Sequence, residues 1–226
     1  MIVVFIVSAV FYFNYKGFAY IDGHLIFVKQ DAVAATKNGI ANVLPDNVVV
    51  NVSQKYALGS ANAPLTLYEY SSLGCPHCAD FHMDVLPKLK QEYVDNGLLR
   101  IIFVNFPLDK KSMKAAMISQ CMTYENYFGF LNRLFSRQRF WFLDSDTEQL
   151  TRYAAEYGLS YNETQSCMHD DKVASEIVSN RQEAMTRLHI KGTPAFFIQG
   201  KGRSEIIYGK KDYDDFKQYI DSRLAD

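Results

Sequence analysis

The sequence YSSLGCPHCADFH at residues 70–82 carries the most informative pattern of the chain, because two cysteines, Cys75 and Cys78, enclose Pro76 and His77. The preceding LTLYEY alternates in polarity and is rich in β-forming residues, which predicts a strand. The pattern turns helical from Pro76, whose missing backbone N–H is well tolerated in the first helical turn. The cysteine pair therefore lies where a strand ends and a helix begins.

A close cysteine pair is compatible with a zinc site, a structural disulfide or a redox centre. Structural zinc sites commonly need two close pairs of Cys or His ligands, and the second pair is missing, since Cys121 and Cys167 fall in different predicted helices. His77 and His82 would have to supply it, although His77 lies inside the motif itself. A disulfide closed over two intervening residues removes little chain entropy and stabilises weakly.

The redox interpretation explains more of this pattern. Free backbone N–H groups and the helix dipole favour a thiolate on Cys75, and a protonated His77 would favour it further. Cys78, one turn deeper, is expected to be the more buried, resolving thiol. A stabilised Cys75 thiolate is a good leaving group and favours the reduced protein, so the disulfide would readily be passed to another protein.

The rest of the chain alternates between strand patterns and a central helical block. Gly97 ends the first helix, and LLRIIFVNF then predicts a second strand that is buried on both faces. Helical patterns dominate from Pro107 to about Leu188, and two strands and a helix from Asp212 follow. The predicted segments are residues 63–108 for a βαβ part, 109–189 for a helical insertion and 190–226 for a ββα part.

The amino-terminal residues 1–21 form a separate apolar segment. MIVVFIVSAVFYF is uncharged and has the length of a signal-peptide apolar region, while a helix continued to Ile21 would be long enough to span a bilayer. We interpret residues 1–21 as a signal peptide or membrane anchor; a buried core element is the alternative. Against this, Lys16 follows the run and no basic residue precedes it, contrary to the positive-inside rule. Residues 22–62 are expected to form a spacer that includes a strand, NVVVNV.

Composition narrows the classes of partner. The chain has 226 residues, of which 48% are hydrophobic, with 24 Lys and Arg against 25 Asp and Glu. This length is ample for a buried core. The balanced charge gives no overall bias toward nucleic acid, which is not an expected partner.

A second motif, KGTPAFFI, places Thr193 and Pro194 directly before a strand. A proline at the start of a strand needs no function, but in a βαβ–ββα arrangement this X-Pro bond would lie beside the cysteines. CPHC after a strand, a helical block within that core, and GTPAFF before the next strand together resemble the DsbA-type thiol–disulfide oxidoreductases. The resemblance covers roughly residues 58–222.

The resemblance implies an α/β thioredoxin fold with an inserted α-helical domain, preceded here by the apolar segment. It implies no metal and no organic cofactor. The implied site residues are Cys75 as nucleophile, Cys78 as its partner, Pro76 and His77 as tuning residues, and Thr193 and a cis Pro194 as the substrate-binding pair.

Glu69, six residues before Cys75, matches an acid that many members bury below the active site, where it would handle the proton of Cys78. An exposed strand carboxylate is the alternative for Glu69. His82 departs from the family pattern, because members often carry an acid there, so the tuning of the thiolates is expected to differ.

Cys121 and Cys167 are a further departure, with three interpretations: buried free thiols, a structural disulfide or a second redox pair. In an exported protein the structural disulfide is favoured. Closing a loop of about 46 residues would stabilise the fold by about 4 kcal/mol on the chain-entropy model.

The expected function is that of a periplasm-facing thiol oxidase that acts on unfolded secreted proteins with free thiols. The resemblance further implies a membrane partner that passes the electrons to quinone, and the amino-terminal segment, as an anchor, would tether the chain to the inner membrane. Three alternatives remain: a disulfide isomerase or reductase on the same fold, oligomeric through its amino-terminal segment; a membrane-tethered holdase or binding module; and a zinc-binding scaffold.

Overall fold

The structure is a computed structural model that describes residues 18–21, 24–27, 41–44, 48, 50 and 52–225. The chain divides into two units, Met1–Ala34 and Ala35–Asp226. In the first unit, strands β1 (Phe18–Ile21) and β2 (His24–Phe27) pair in antiparallel fashion.

The predicted signal or anchor segment lies mostly outside the described residues. Its last four residues, Phe18–Ile21, form a strand rather than the end of a helix. Within the ranges that the structure describes, no helix is long and apolar enough to cross a membrane.

The second unit contains one mixed sheet and the helices around it. The described strands are β3 (Asn42–Leu44), β4 (Ala57–Leu58), β5 (Leu65–Ser71), β6 (Leu99–Asn105), β7 (Ala195–Gly200) and β8 (Arg203–Tyr208). The described α-helices are α1 (Pro76–Asp80), α2 (Leu86–Leu89), α3 (Lys110–Gln120), α4 (Tyr124–Ser136), α5 (Gln138–Phe142), α6 (Glu148–Glu156), α7 (Tyr161–Met168), α8 (Asp171–Arg187) and α9 (Tyr213–Ala225).

Strand order in this sheet is β3-β8-β7-β5-β6-β4. The central strand β5 runs parallel to β6 and antiparallel to β7, so the βαβ and ββα parts meet along it. The α/β thioredoxin fold with a helical insertion between β6 and β7 is therefore confirmed.

Both faces of the sheet are covered, which follows from the near-continuous apolar composition of its central strands. On one face, Leu67, Ile101 and Ile198 belong to a buried cluster with side chains of α9 and of the helix after the cysteines. On the opposite face, Ile102 and Phe197 belong to a cluster that includes the end of α8. The prediction that β6 is buried on both faces is confirmed.

The helix after the cysteines is continuous over 76–94, but it is not uniformly α-helical. Wider π-helical turns at Phe81–Val85 and Lys90–Val94 flank α2. Pro87 stands in the first turn of α2, where it cannot donate the hydrogen bond that a regular α-helix would require. The predicted single helix therefore has two local expansions.

The helical insertion, α3 to α8, has its own apolar core around Trp141, and this core reaches the side chains of Cys75 and Cys78. A disulfide joins Cys121 to Cys167, with an S–S distance of 2.06 Å and a Cα–Cα distance of 6.3 Å. Of the three interpretations given above for these cysteines, the structure shows the pair bonded to each other.

The strand predicted for NVVVNV is wrong at the described positions. Val48, Val50 and Val52 lie outside any strand, although their side chains pack against the face that Ile102 and Phe197 occupy. The strands of this region are the flanking β3 and β4, which pair with β8 and β6. At the described positions the alternating valines therefore pack against the sheet without forming one of its strands.

Candidate active site

The cysteine pair occupies the first turn of the helix that follows β5. Cys75 is the N-cap residue of α1 and has extended backbone angles, and Pro76 follows at the first helical positions. The Cys75 carbonyl accepts from the backbone N–H groups of Cys78 and Ala79, at 3.1 Å each. Cys75 is 9% exposed and Cys78 0%, and both are free thiols. Of the two sulfurs, Cys75 is the accessible one.

The electrostatic environment separates the two thiols. The pKa of Cys75 is lowered from an ordinary 9.0 to about 5, chiefly by a hydrogen bond from the Cys78 thiol. The Thr193 side chain and the backbone N–H groups of Cys78 and His77 add to this effect, while burial opposes it. The pKa of Cys78 is raised, first by burial and then by its bond to Cys75. The pair is thus built to hold one thiolate and one thiol.

His77, the predicted tuning residue, lies on the exposed side of α1. Its Nδ1 is 3.6 Å from Asp80 Oδ2, which also accepts from Lys210 Nζ at 2.8 Å. The Lys210 hydrogen bond holds the pKa of Asp80 below its ordinary value. Tuning of the thiolate by the His77 side chain stays a prediction.

The second motif lies beside the cysteines. The Thr193–Pro194 peptide bond is cis, as the resemblance implies, and the Cys75 thiol donates to the Thr193 carbonyl at 3.4 Å. Pro194 is held from the other side, since its carbonyl accepts from the Gly209 N–H at 2.9 Å. Thr193, Pro194, Tyr208 and Gly209 line an open depression next to the sulfur. A role of Thr193 and Pro194 in binding substrate stays a prediction.

Glu69 lies on β5, six residues before Cys75. It is 1% exposed, and its register neighbours are Phe103 and Phe196. Burial raises the pKa of Glu69 to about 8, so the carboxyl group keeps its proton near neutral pH. The alternative of an exposed strand carboxylate is wrong, whereas a role in proton handling stays a prediction.

Ser71 is a residue of this region that sequence reasoning missed. It is buried two residues after Glu69, on the same face of β5. The Ser71 side chain acts against the raised pKa of both Glu69 and Cys78. The two-residue spacing from Glu69 was the signal that could have found it.

His82 is a core residue in this structure. Its ring packs on Phe135 with centroids 4.6 Å apart, and burial lowers the pKa of His82 to about 4, which keeps the ring neutral near neutral pH. Across the described ranges, no group of three or more His, Cys, Asp and Glu side chains is arranged to hold a metal ion.

Gln138, at the start of α5, is a second residue that the sequence did not indicate. Its Nε2 donates to the carbonyl oxygens of Leu73 at 2.7 Å and of Cys75 at 3.0 Å. Sixty-three residues separate Gln138 from Cys75, so no local pattern connects them. The helical insertion thereby contacts the loop that carries the reactive sulfur.

Comparisons with known proteins identify the family of this chain. A family model described as thioredoxin matches residues 51–222. The crystal structure of α-DsbA1 from Wolbachia pipientis superposes with a TM-score of 0.70 at 33% identity, covering 78% of this chain and 94% of that one. Disulfide bond formation protein D of Bacillus subtilis is 25% identical over 178 residues, which is 74% of this chain and 76% of that protein.

A Rickettsia conorii protein that carries the name of a protein-disulfide oxidoreductase is 28% identical over 174 residues, and the match covers 76% of this chain. The chain spans 60% of the length of that relative. The fold, the cysteine pair with its neighbouring cis proline, and the matched family model together show that this chain belongs to the thioredoxin family, among its DsbA-type thiol–disulfide oxidoreductases.

Proposed function

We propose that the chain is a thiol oxidase that introduces disulfide bonds into secreted or periplasmic proteins through Cys75 and Cys78. The observation that carries this proposal is the opposite displacement of the two thiols, with the pKa of Cys75 lowered to about 5 and that of Cys78 raised. A sulfur that holds negative charge readily is a good leaving group, and it favours the reduced protein over its disulfide.

The reaction begins with the Cys75–Cys78 disulfide. A client thiolate attacks the Cys75 sulfur, the Cys75–Cys78 bond breaks, and Cys78 leaves with the electron pair and takes up a proton. A second client thiolate then attacks the client sulfur of the mixed disulfide, and Cys75 leaves as a thiolate. The client has lost two electrons and gained one disulfide, while the protein holds a thiolate and a thiol.

The surface beside Cys75 supports the proposal that unfolded proteins are the substrates. The open depression lined by Thr193 and Pro194 lies next to the sulfur, since the Thr193 carbonyl is 3.4 Å from Cys75 Sγ, and we propose that an extended client segment binds there. Reoxidation requires an acceptor of two electrons, for which we propose a quinone-linked membrane oxidase. We place the protein in the periplasm, with residues 1–21 as a signal peptide or as a tether to the inner membrane.

The test compares two activities of the purified protein on ribonuclease. An oxidase forms disulfides in reduced ribonuclease faster than it reactivates scrambled ribonuclease, and Cys75→Ala abolishes that activity. The double variant Cys121→Ala/Cys167→Ala is the control, because it removes cysteines elsewhere in the chain but leaves the proposed redox pair. Activity that survives Cys75→Ala would contradict a thiol mechanism and favour a holdase.

The reduction potential of the Cys75–Cys78 pair separates the oxidase from a reductase. Equilibration with glutathione buffers should give a value near that of the oxidising family members, about −120 mV. A value near that of thioredoxin, about −270 mV, would contradict the oxidase assignment.

A further inference from the structure

One contact between the helical insertion and the loop before Cys75 is made by the side-chain amide of Gln138. Gln138 Nε2 donates to Leu73 O at 2.7 Å and to Cys75 O at 3.0 Å. One amide group thus bridges two carbonyl groups that lie two residues apart. Both of these carbonyl oxygens point toward α5, and the Cys75 carbonyl also accepts from the first helical turn.

The backbone between these two carbonyls lies unusually close to the insertion. A Cβ atom added to Gly74 would lie 2.4 Å from Phe142 Cε2 and 2.4 Å from Ser112 Oγ. Lys111 Nζ donates to the carbonyl of Phe142 at 3.1 Å and to that of Asp144, which fixes the end of α5. The insertion therefore holds the loop from α5 and from α3 at once.

This attachment bears on the reactive sulfur because Cys75 is the N-cap residue of α1. The Cys75 side chain and the Cys75 carbonyl belong to the same residue, so the carbonyl's direction sets where the sulfur lies relative to the N–H groups of His77 and Cys78. Those N–H groups are among the donors that stabilise the thiolate. The donating N–H of Gln138 also places partial positive charge beside this residue.

We propose that Gln138 is a positioning residue for thiol–disulfide exchange, which holds the Leu73 and Cys75 carbonyl groups so that the Cys75 thiolate receives the donors of the first helical turn. The helical insertion is then part of the redox centre rather than only a cover for the sheet. The inference rests on the proposed function, in which Cys75 is the reacting sulfur.

A purely structural role for Gln138 predicts a different result. Loss of two hydrogen bonds that merely attach the insertion would lower the stability of the fold but would leave the ionisation of Cys75 unchanged. The rate of alkylation by iodoacetamide, measured against pH on the reduced protein, reports that ionisation because the thiolate is the nucleophile. Urea unfolding of the same samples reports stability separately.

The variants are Gln138→Leu, which removes the donor, and Gln138→Glu, which keeps the volume but cannot donate once ionised. The matched control is Asn126→Leu, since Asn126 Nδ2 donates to the Tyr157 carbonyl at 3.0 Å within the insertion. We expect the midpoint of Cys75 ionisation to rise by about one pH unit in both Gln138 variants, a tenfold change in the ionisation constant. It should stay at the wild-type value in Asn126→Leu.

Unchanged midpoints in both Gln138 variants, with an acidic Cys75 in the wild type, would overturn the role of Gln138 and leave the proposed function standing. A wild-type midpoint near 9.0, the ordinary thiol value, would overturn both. The same rise in Asn126→Leu as in the Gln138 variants would also overturn the proposal, because any loosening of the insertion would then suffice.

Discussion

The acidity of Cys75 should depend more on its neighbour Cys78 than on any other single group. The pKa of Cys75 falls from an ordinary 9.0 to about 5, and the hydrogen bond from the Cys78 thiol is the largest cause. A hydrogen bond to a charged group is worth about 1.5–3 kcal/mol, and 1.36 kcal/mol corresponds to a tenfold change in ionisation. Cys78→Ala should therefore raise the pKa of Cys75 from about 5 to about 6–7.

The measurement is the ultraviolet absorbance of the thiolate as a function of pH. Cys75 is the thiol that should titrate in the acid range, because the pKa of Cys78 is raised and Cys121 and Cys167 are joined in a disulfide. Cys78→Ser is the matched control. Its hydroxyl group restores a donor of similar size, so the pKa of Cys75 should remain below that of the alanine variant.

Two results would refute this reasoning. If Cys78→Ala left the pKa of Cys75 at the wild-type value, the acidity would come from the helix start and not from the neighbouring thiol. If the alanine and serine variants shifted equally, the lost donor would not be the cause.

Three further predictions concern stability. Burial raises the pKa of Glu69 to about 8, so the carboxyl group loses its proton at a lower pH in the unfolded chain than in the folded one, and the free energy of unfolding falls as pH rises from about 4.5 to 8. Glu69→Gln should abolish this pH dependence in urea unfolding and stabilise the protein by up to about 3 kcal/mol near pH 7. A pH dependence that persists in the variant would contradict the assignment to Glu69. The double variant Cys121→Ala/Cys167→Ala opens a loop with a sequence separation of 46 and should lower the free energy of unfolding by about 4 kcal/mol in the same assay. In reductant titration of the wild type, the Cys121–Cys167 disulfide should resist reduction longer than the Cys75–Cys78 disulfide. Four free thiols in protein purified under oxidising conditions would rule out the Cys121–Cys167 disulfide. Gly74→Ala should cost about 1–3 kcal/mol because its Cβ would overlap Phe142, and Phe142→Ala in the same chain should recover part of that loss; no recovery would mean that Phe142 is not the obstacle.

Local sequence patterns were sufficient to predict the strands and helices of the βαβ part. The alternation of LTLYEY, the apolar run of β6 and the helical spacing between them gave the βαβ part, because strand and helix periods are properties of neighbouring residues. The position of Cys75 at the helix start followed from the same reading, since Pro76 tolerates only a few helical positions.

Tertiary contacts decided what local patterns could not. Gln138 reaches the site through packing between elements 63 positions apart, which leaves no mark within a sequence window. The valines of NVVVNV alternate as a strand does, yet at Val48, Val50 and Val52 burial arises without strand pairing. The burial of Glu69 was undecidable from sequence, because the alternation of LTLYEY is typical of a strand with one exposed face, whereas both faces of β5 are buried over residues 67–71.

The centre is assembled from two halves of the chain, since Cys75 and Thr193 are 118 positions apart. During synthesis the cysteine loop emerges first, and β7 can add to the edge of β5 only after the whole insertion has followed. Until then the nascent chain carries Cys75 and Cys78 without Thr193 and Pro194 beside them. The contact between the Cys75 thiol and the Thr193 carbonyl can therefore form only once β7 has paired with β5.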